Sequence, residues 1–176
     1  MNVKRFIRSI IPSPLLAYLT PLYHSVLAYG ALLIYRFPAQ KLFVIGVTGT
    51  KGKSTTVEMV NAILEEAGYR TAVASTIRFK IDKESRPNLF KMTMPGRGFI
   101  QKFLREAVNK DCTHVVVEVT SEGARQFRHI GLSMNALIFT NIAPEHIESH
   151  GSFENYKNAK LGIGHALVRS SKRPRI

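Results

Sequence analysis

The residues of this chain that could do chemistry begin with a short glycine-rich stretch, GTKGKST, at residues 49–55. This stretch follows an apolar run, residues 42–47, and precedes a helical pattern that starts near Lys53. At such a junction, glycines let backbone N–H groups approach phosphate oxygens, and the N-terminus of the helix adds positive partial charge. Lys53 can then reach the terminal phosphates, and Ser54 can ligate magnesium. The stretch is therefore predicted to be a nucleotide-binding phosphate loop.

The loop departs from the usual phosphate-loop pattern at one position. That pattern has a glycine five residues before Gly52, where this chain has Val47, and the glycines here are Gly46 and Gly49 instead. A strand-to-helix turn that binds no nucleotide is the alternative, and the placement between an apolar run and an amphipathic helix favours the phosphate loop. The predicted nucleotide-binding residues are Gly49, Thr50, Gly52, Lys53, Ser54 and Thr55.

The elements that must position this loop alternate between strands and helices. Apolar strands are predicted at residues 42–47, 70–76, 113–120 and 135–142, and helices at residues 53–68, 98–110 and 152–168, with a polar, turn-rich segment at residues 77–97. Near-continuous apolar strands that alternate with helices are typical of a parallel sheet covered on both faces. The predicted fold class is therefore α/β, a mostly parallel sheet with helices on both faces and a P-loop NTPase-like architecture.

The net charge of +13 is concentrated at the two ends of the chain. Residues 1–41 hold five basic residues and no acid, and residues 169–176 hold four basic residues and no acid. The remaining +4 of the middle suits a protein that binds anionic phosphates. The chain has no interleaving of aromatic and basic residues and no known reader motif, so nucleic-acid binding is not predicted.

The first 41 residues form an apolar leader with basic flanks. No charged residue lies between Arg8 and Arg36. Three prolines, the last at position 21, are expected to interrupt its first half, and the remaining apolar piece, residues 22–35, is shorter than the ~20 residues of a spanning helix. Two interpretations remain open: either residues 14–37 lie on an anionic membrane face, or this helix packs against the domain or a partner.

Three stretches resemble the Mur ligase family and its relatives, the folylpolyglutamate synthases. The offset glycine–Thr–x–Gly–Lys–Ser form of the loop is the first. Residues 115–129, VVVEVTSEGARQFRH, are similar to the family's E(V)SS…Q…R segment at a strand end. Residues 139–160, FTNIAPEHIESHGSFENYKNAK, are similar to its TN…DH…HG(S/T)FENY…AK signature. The resemblance covers about residues 42–162 and is closest to the branch that adds the third amino acid to UDP-N-acetylmuramoyl-L-alanyl-D-glutamate.

The resemblance implies both a fold and a reaction. The fold is the family's central ATP-binding domain, and the reaction is an ATP-dependent ligation of an amino acid to a UDP-N-acetylmuramoyl-peptide in peptidoglycan precursor synthesis, with ATP and Mg²⁺ as cofactors. ATP phosphorylates a substrate carboxylate, an amine attacks the acyl phosphate, and an amide, ADP and phosphate result. Such a transfer needs magnesium and lysine to neutralise the phosphoryl charge while the reactants are held in line.

The same motifs imply roles outside the loop. Glu118, at the end of an apolar strand, matches a magnesium ligand, and a surface carboxylate is the alternative. His146, which follows Glu145 where the family has Asp, matches a ligating histidine. Lys160 matches the family's carbamylated lysine, whose negative charge would hold magnesium near the acyl phosphate. The implied catalytic residues are Lys53, His146 and Lys160, and the implied magnesium ligands are Ser54, Glu118, His146 and Lys160.

Four residues match family positions that hold the nucleotide-sugar substrate: Thr93, Thr120, Gln126 and Arg128. Hydroxyl, amide and guanidinium groups can hold pyrophosphate and carboxylate oxygens. Two neighbouring positions depart from the family pattern, because Met94 stands where a second Thr is common and Glu122 where a His is common. A methionine side chain cannot donate a hydrogen bond, so the contacts of the substrate are expected to differ at this position.

The resemblance also implies a division into domains. Residues 1–41 would be the leader, residues 42–168 an incomplete Mur ligase central domain, and residues 169–176 a basic tail. The family's last domain closes over ATP, and the chain has no room for it, so the chain alone is expected to bind ATP without forming the amide. The alternatives are a folylpolyglutamate-synthase-like ligase and a non-catalytic, membrane-associated ATP-binding module.

The expected location follows from the cysteine content. The single cysteine, Cys112, excludes an internal disulfide and fits a reducing compartment. No small-residue cleavage site follows the leader, so a cleaved signal peptide is not predicted. The expected location is therefore the cytoplasm, at the inner face of the membrane if the leader contacts lipid.

Overall fold

The chain folds as a six-stranded sheet with helices on both faces. The computed structural model describes residues 13–90, 92–96, 98–145 and 151–168. The helices are α1 (Ser13–Ile34), α2 (Lys53–Glu66), α3 (Phe99–Asn109), α4 (Ser121–Arg125) and α5 (Phe153–Val168), with a 3-10 turn at Pro38–Lys41. The strands are β1 (Phe43–Thr48), β2 (Thr71–Ala74), β3 (Arg78–Ile81), β4 (Glu84–Pro87), β5 (His114–Glu118) and β6 (Ala136–Phe139).

The order of the strands brings three segments to one edge of the sheet. The order is β4-β3-β2-β5-β1-β6, in which β2, β5, β1 and β6 are parallel and the β3–β4 hairpin is antiparallel. Val47 of β1 lies opposite Glu118 of β5, and Thr48 lies opposite Phe139 of β6. The loop after β1 is therefore flanked by the segments that follow β5 and β6, at the carboxyl ends where parallel sheets bind ligands.

Apolar side chains cover both faces of the sheet, because neighbouring residues of a strand point to opposite sides. On one face, the buried residues Val44, Val115 and Val117 belong to a cluster with Phe103 and Leu104 of α3. On the other face, Ile45, Val47 and Val116 pack with Val57 of α2. The prediction of an α/β fold with a mostly parallel sheet covered on both faces is confirmed.

Helix α1 packs against the domain through its C-terminal half. Ala31 and Leu32 are buried, and Leu32 lies against Gly131, where a Cβ would meet its Cδ2 at 2.1 Å. The predicted interruption at Pro21 is wrong, since α1 runs from Ser13 to Ile34. A proline removes one backbone donor without preventing the turns on either side from forming. Over the ranges given above, no helix is long and apolar enough to cross a membrane.

Two short elements were not predicted from the sequence. The β3–β4 hairpin lies in the segment that was expected to be turn-rich, and all four residues of β4 are exposed, so no apolar alternation marks that edge strand. Helix α4 has five residues, too few for a helical repeat. The expected N-cap of α5 is confirmed, because Ser152 Oγ accepts a hydrogen bond from Asn155 N at 3.1 Å.

Candidate functional site

The loop between β1 and α2 has a backbone shape that depends on its glycines. Gly52, the residue before α2, has a φ of +78°, in the left-handed region that other residues rarely adopt. At Gly49, a Cβ would lie 1.9 Å from Thr140 Oγ1, so only glycine allows the segment after β6 to approach. Helix α2 begins at Lys53, which points its first backbone N–H groups toward the loop. This arrangement is a cradle for an anion.

Asn141, just after β6, holds the loop from the side. Its Oδ1 accepts hydrogen bonds from Thr50 N at 3.2 Å and from Lys51 N at 3.0 Å. Its Nδ2 donates to Lys51 O at 3.1 Å, and Thr140 Oγ1 donates to the same carbonyl at 2.7 Å. The shape of the loop therefore depends on the docking of β6. Reasoning from the sequence assigned no role to Asn141, although the TN pair of the quoted signature was a usable signal.

Lys53 and Ser54 are the first two residues of α2. Lys53 Nζ donates to the Thr50 carbonyl at 2.8 Å, so the ammonium group lies folded over the loop. Ser54 Oγ donates to Glu118 Oε2 at 3.1 Å. The structure thus brings together the loop hydroxyl and the strand-end carboxylate that were predicted as magnesium ligands. Thr55, the next residue of α2, is exposed.

Glu118 is buried among hydrogen-bond donors. Its side chain is 2% exposed, so the alternative of a surface carboxylate is wrong. Oε2 also accepts from Thr76 N at 2.9 Å and from Thr76 Oγ1 at 3.0 Å, which offsets the cost of burying the charge. Magnesium prefers hard oxygen ligands and is commonly bound by one or two carboxylates together with phosphate and water. The Ser54–Glu118 pair fits such an ion.

The second predicted magnesium ligand outside the loop, His146, lies outside the described residues. Its neighbour Glu145 pairs with Lys51, with 3.9 Å between Oε1 and Nζ, so the segment that leads to position 146 approaches the loop. In the part of the chain that the structure describes, no group of three or more His, Cys, Asp or Glu side chains could hold a metal ion. The role of His146 therefore stays a prediction.

Lys160 of α5 is buried at the loop, although a lysine in a helix of mixed composition is ordinarily solvated. It is 2% exposed, and its Nζ donates to Gly49 O at 2.7 Å and lies 4.9 Å from the centre of the Tyr156 ring. Burial, and then the nearby Lys53 cation, lower the pKa of Lys160 to about 8, against an opposing effect of Glu145. The neutral amine is therefore more abundant than in an ordinary lysine near neutral pH.

Tyr156 joins α5 to the loop through Thr50. The tyrosine is fully buried, and its hydroxyl oxygen lies 2.8 Å from Thr50 Oγ1. Ala143 N donates to the same threonine oxygen at 3.0 Å. Three segments, namely the loop, the residues after β6 and α5, therefore converge on Thr50. Sequence reasoning missed Tyr156, for which the FENY part of the signature was the available signal.

Two of the predicted substrate residues lie in segments next to the loop site. Thr93 Oγ1 lies 2.8 Å from Thr76 Oγ1, and Thr76 in turn donates to Glu118. Thr120 follows β5 and caps α4, because its Oγ1 accepts from Gly123 N at 3.0 Å. That bond leaves the hydroxyl hydrogen of Thr120 available as a donor. The structure therefore connects Thr93 to the loop site through a single intervening residue.

Gln126 and Arg128, the other two predicted substrate residues, belong to one series of linked hydrogen bonds. Gln126 Nε2 donates to Glu122 Oε1 at 2.6 Å, and the Arg128 guanidinium donates to Gln126 Oε1 and to the Met94 carbonyl. The Met94 side chain is buried against Gly123, so the backbone of Met94, and not its side chain, provides the polar contact there. Met94, which differs from the family pattern, therefore fills space in the core. Glu122, which also differs from it, fixes the orientation of the Gln126 side chain through its hydrogen bond.

Known proteins are similar to this chain over most of its length. The family model of the Mur ligase middle domain matches residues 47–171. The UDP-N-acetylmuramyl-tripeptide synthetase of Treponema pallidum (strain Nichols) is 33% identical over 163 residues, and the match covers 88% of this chain and 30% of that protein. The UDP-N-acetylmuramoyl-L-alanyl-D-glutamate--2,6-diaminopimelate ligase of Clostridium tetani (strain Massachusetts / E88) is 38% identical over 137 residues, 78% of this chain and 28% of that protein. The chain thus spans less than a third of the length of these relatives.

Solved structures share the fold. A structure of UDP-N-acetylmuramoyl-L-alanyl-D-glutamate--2,6-diaminopimelate ligase aligns with a TM-score of 0.60 and 28% identity, over 69% of this chain and 24% of that one. The structure of E. coli FolC in complex with DHPP and ADP aligns with a TM-score of 0.51 and 23% identity, over 76% of this chain and 38% of that one, and shows likeness of fold alone. Because the family match covers most of the residues, the chain belongs to the Mur ligase family and contains its middle domain.

Proposed function

We propose that this chain provides the nucleotide-binding part of an ATP-dependent ligase that adds an amino acid to a UDP-N-acetylmuramoyl-peptide in peptidoglycan precursor synthesis. The observation that carries the proposal is the convergence of Lys53, Ser54, Glu118 and Lys160 on one loop at the carboxyl end of β1. The names of the relatives support the substrate class. The folylpolyglutamate-synthase-like alternative rests on likeness of fold alone.

Each residue of the loop site has a role in this proposal. Lys53 turns from the Thr50 carbonyl to the terminal phosphates of ATP, and the first N–H groups of α2 hold the phosphates in line. Ser54 and Glu118 would hold magnesium together with the predicted ligand His146. Magnesium bound there would supply positive charge against the transferring phosphoryl group. The single cysteine supports a reducing compartment, and we propose the cytoplasm as the location.

We further propose that Lys160 becomes carbamylated in the working site. The neutral Nζ attacks CO₂, the new N–C bond forms as one C=O π bond opens onto oxygen, and one amine proton leaves to solvent, so that the neutral amine becomes a carbamate anion. The low pKa of Lys160, about 8, supports this proposal because the attacking amine has to be neutral. The resulting anion would be a third oxygen ligand, beside Ser54 and Glu118, for magnesium near the reacting carboxylate.

The carbamate signal should grow as the pH rises through the pKa of Lys160. A pKa lowered to about 8 leaves the amine mostly protonated at about pH 7 and mostly neutral at about pH 9. Carbon-13 NMR of the full chain in ¹³C-bicarbonate, recorded at each pH, measures the intensity of the carbamate resonance. Lys160→Arg should remove the signal, and Lys157→Arg, which changes an exposed lysine of the same helix, should keep it. A resonance that persists in Lys160→Arg would contradict the assignment.

The substrate class is tested by calorimetric titration of UDP-N-acetylmuramoyl-L-alanyl-D-glutamate into the full chain. Arg128→Ala should weaken binding by about tenfold, since a charge-assisted hydrogen bond to an anion contributes about 1.5–3 kcal/mol. The control Arg86→Ala changes an exposed arginine of the edge strand β4 and should leave the affinity unchanged. Equal affinity of the wild-type chain and Arg128→Ala would contradict the role of Arg128, and no heat of binding in the wild type would sink the proposed substrate class.

A further inference from the structure

An apolar stripe runs along the outer face of α1. Leu22, Val26, Tyr29 and Leu33 follow one another at spacings of four, three and four residues, the helical repeat that places side chains on one face. All four are more than half exposed, and so is Ile34 beside them. A surface helix of a globular domain ordinarily turns polar residues outward and its apolar face inward. On α1, the outward face is apolar as well.

The domain fixes the direction in which this stripe faces. Ala31, on the opposite side of α1, and Leu32, about a quarter turn from the stripe, are buried. The Arg105 guanidinium donates to the Tyr35 carbonyl at 2.9 and 2.7 Å and to the Arg36 carbonyl at 3.0 Å, which ties the end of the helix to α3. Rotating α1 to hide the stripe would break these bonds and expose Leu32. The apolar face is therefore held outward by the fold.

The charged residues that flank the stripe in the sequence are all basic. Helix α1 contains no charged residue, Arg36 and Lys41 are exposed just beyond its end, and residues 1–41 contain five basic residues and no acid. Tyr29 adds an amphipathic ring of the kind that favours the boundary between lipid and water. Two copies of this surface would bring like charges together, which disfavours self-association. An anionic lipid surface complements both the stripe and its basic flank.

We infer that α1 lies along an anionic lipid surface, with the stripe Leu22, Val26, Tyr29 and Leu33 buried among acyl chains and Arg36 and Lys41 against lipid phosphates. The helix lies in the plane of the interface, because its other side is fixed to the domain by the burial of Ala31 and Leu32 and by the hydrogen bonds from Arg105. This inference stands apart from the ligase proposal, because none of its residues belongs to the loop site. Its consequence is that the domain works at the membrane surface.

Vesicle co-sedimentation of the full chain tests this inference with a matched pair of double variants. Val26 and Leu33 are 61% and 67% exposed, and Met59 and Ile63 on α2 are 60% and 67% exposed. The chain should bind vesicles of phosphatidylcholine with phosphatidylglycerol, and V26D/L33D should weaken this binding by at least about tenfold, because two apolar anchors are lost. M59D/I63D should bind as the wild type does. Circular dichroism and ATP titration check that each variant is folded.

A second variant separates the charges from the stripe. R36Q/K41Q leaves the stripe intact and should weaken binding to the anionic vesicles by about 30-fold, since two basic residues that attract the anionic surface are lost. If the wild type bound pure phosphatidylcholine vesicles as tightly as the anionic vesicles, the inference that the lipid surface must be anionic would be overturned. No binding by the wild type, or full binding by V26D/L33D, would overturn the lipid assignment. Light scattering that shows a wild-type dimer dissociating in V26D/L33D would overturn it too, and would assign the stripe to a second copy.

Discussion

Replacing Lys53 with alanine should weaken the binding of ATP with magnesium by about 100-fold, because the loop loses one positive charge and the hydrogen-bond donors of that ammonium group at once. In the structure, Lys53 Nζ lies 2.8 Å from the Thr50 carbonyl, so the side chain is already folded toward the phosphate cradle. A hydrogen bond to a charged group contributes about 1.5–3 kcal/mol, and every 1.4 kcal/mol is about tenfold in affinity. Calorimetric titration of ATP with magnesium into the full chain measures the change.

The control for this variant is Lys102→Ala. Lys102 lies on the exposed side of α3, where it pairs with Glu106 at 3.7 Å, so removing its charge should leave ATP binding unchanged. Binding that disappears in Lys53→Ala but persists in Lys102→Ala would establish a working phosphate loop. Equal affinities in the wild type and Lys53→Ala, or no binding by either, would mean that the loop keeps the residues of the family without their function.

Replacing Glu118 with glutamine should remove the magnesium dependence of ATP binding. The amide has nearly the shape of the carboxylate, and its oxygen can still accept from Ser54 and from Thr76, so the local structure should survive. It lacks the negative charge that a divalent cation requires of its ligand. The affinity of the wild-type chain for ATP should rise by about tenfold or more when magnesium replaces EDTA, since charge-assisted contacts are involved, and that of Glu118→Gln should stay the same.

Two measurements keep this prediction separate from a loss of stability. Thermal unfolding of Glu118→Gln shows whether the domain remains folded at the temperature of the titration. Glu84→Gln, on the exposed edge strand β4, removes one negative charge far from any predicted ligand and should leave the magnesium dependence intact. If magnesium still tightens ATP binding to a folded Glu118→Gln chain, then Glu118 is not a ligand.

The sheet and its phosphate loop could be predicted because their signals are local in sequence. A parallel strand buried on both faces is a near-continuous apolar run, as in VVV at residues 115–117, and periodicity detects the helices that cover it. The Gly-Lys-Ser sequence at the end of such a strand places Lys53 and Ser54 at the helix N-terminus. Glu118 could be predicted because a carboxylate that closes an apolar strand is costly without partners.

The remaining features depend on packing between distant segments. The burial of Lys160 requires α5 to lie on the loop, and neither the spacing nor the composition of that helix reveals it. Asn141 and Tyr156 act on the loop from the segment after β6 and from α5, so only the family signature marked their positions. The continuation of α1 through Pro21 was also missed, because a proline removes one backbone donor without preventing the turns on either side from forming.

The hydrogen bonds between Asn141 and the phosphate loop affect the order in which the domain folds. Thr50 and Asn141 are 91 residues apart in the sequence. Forming this contact therefore closes a long loop of the chain, which costs conformational entropy. The loop can take its final shape only after β6 has docked beside β1, late in the assembly of the sheet. Nucleotide would then bind only to molecules whose sheet is complete, and by mass action it would draw partly assembled chains toward the native state.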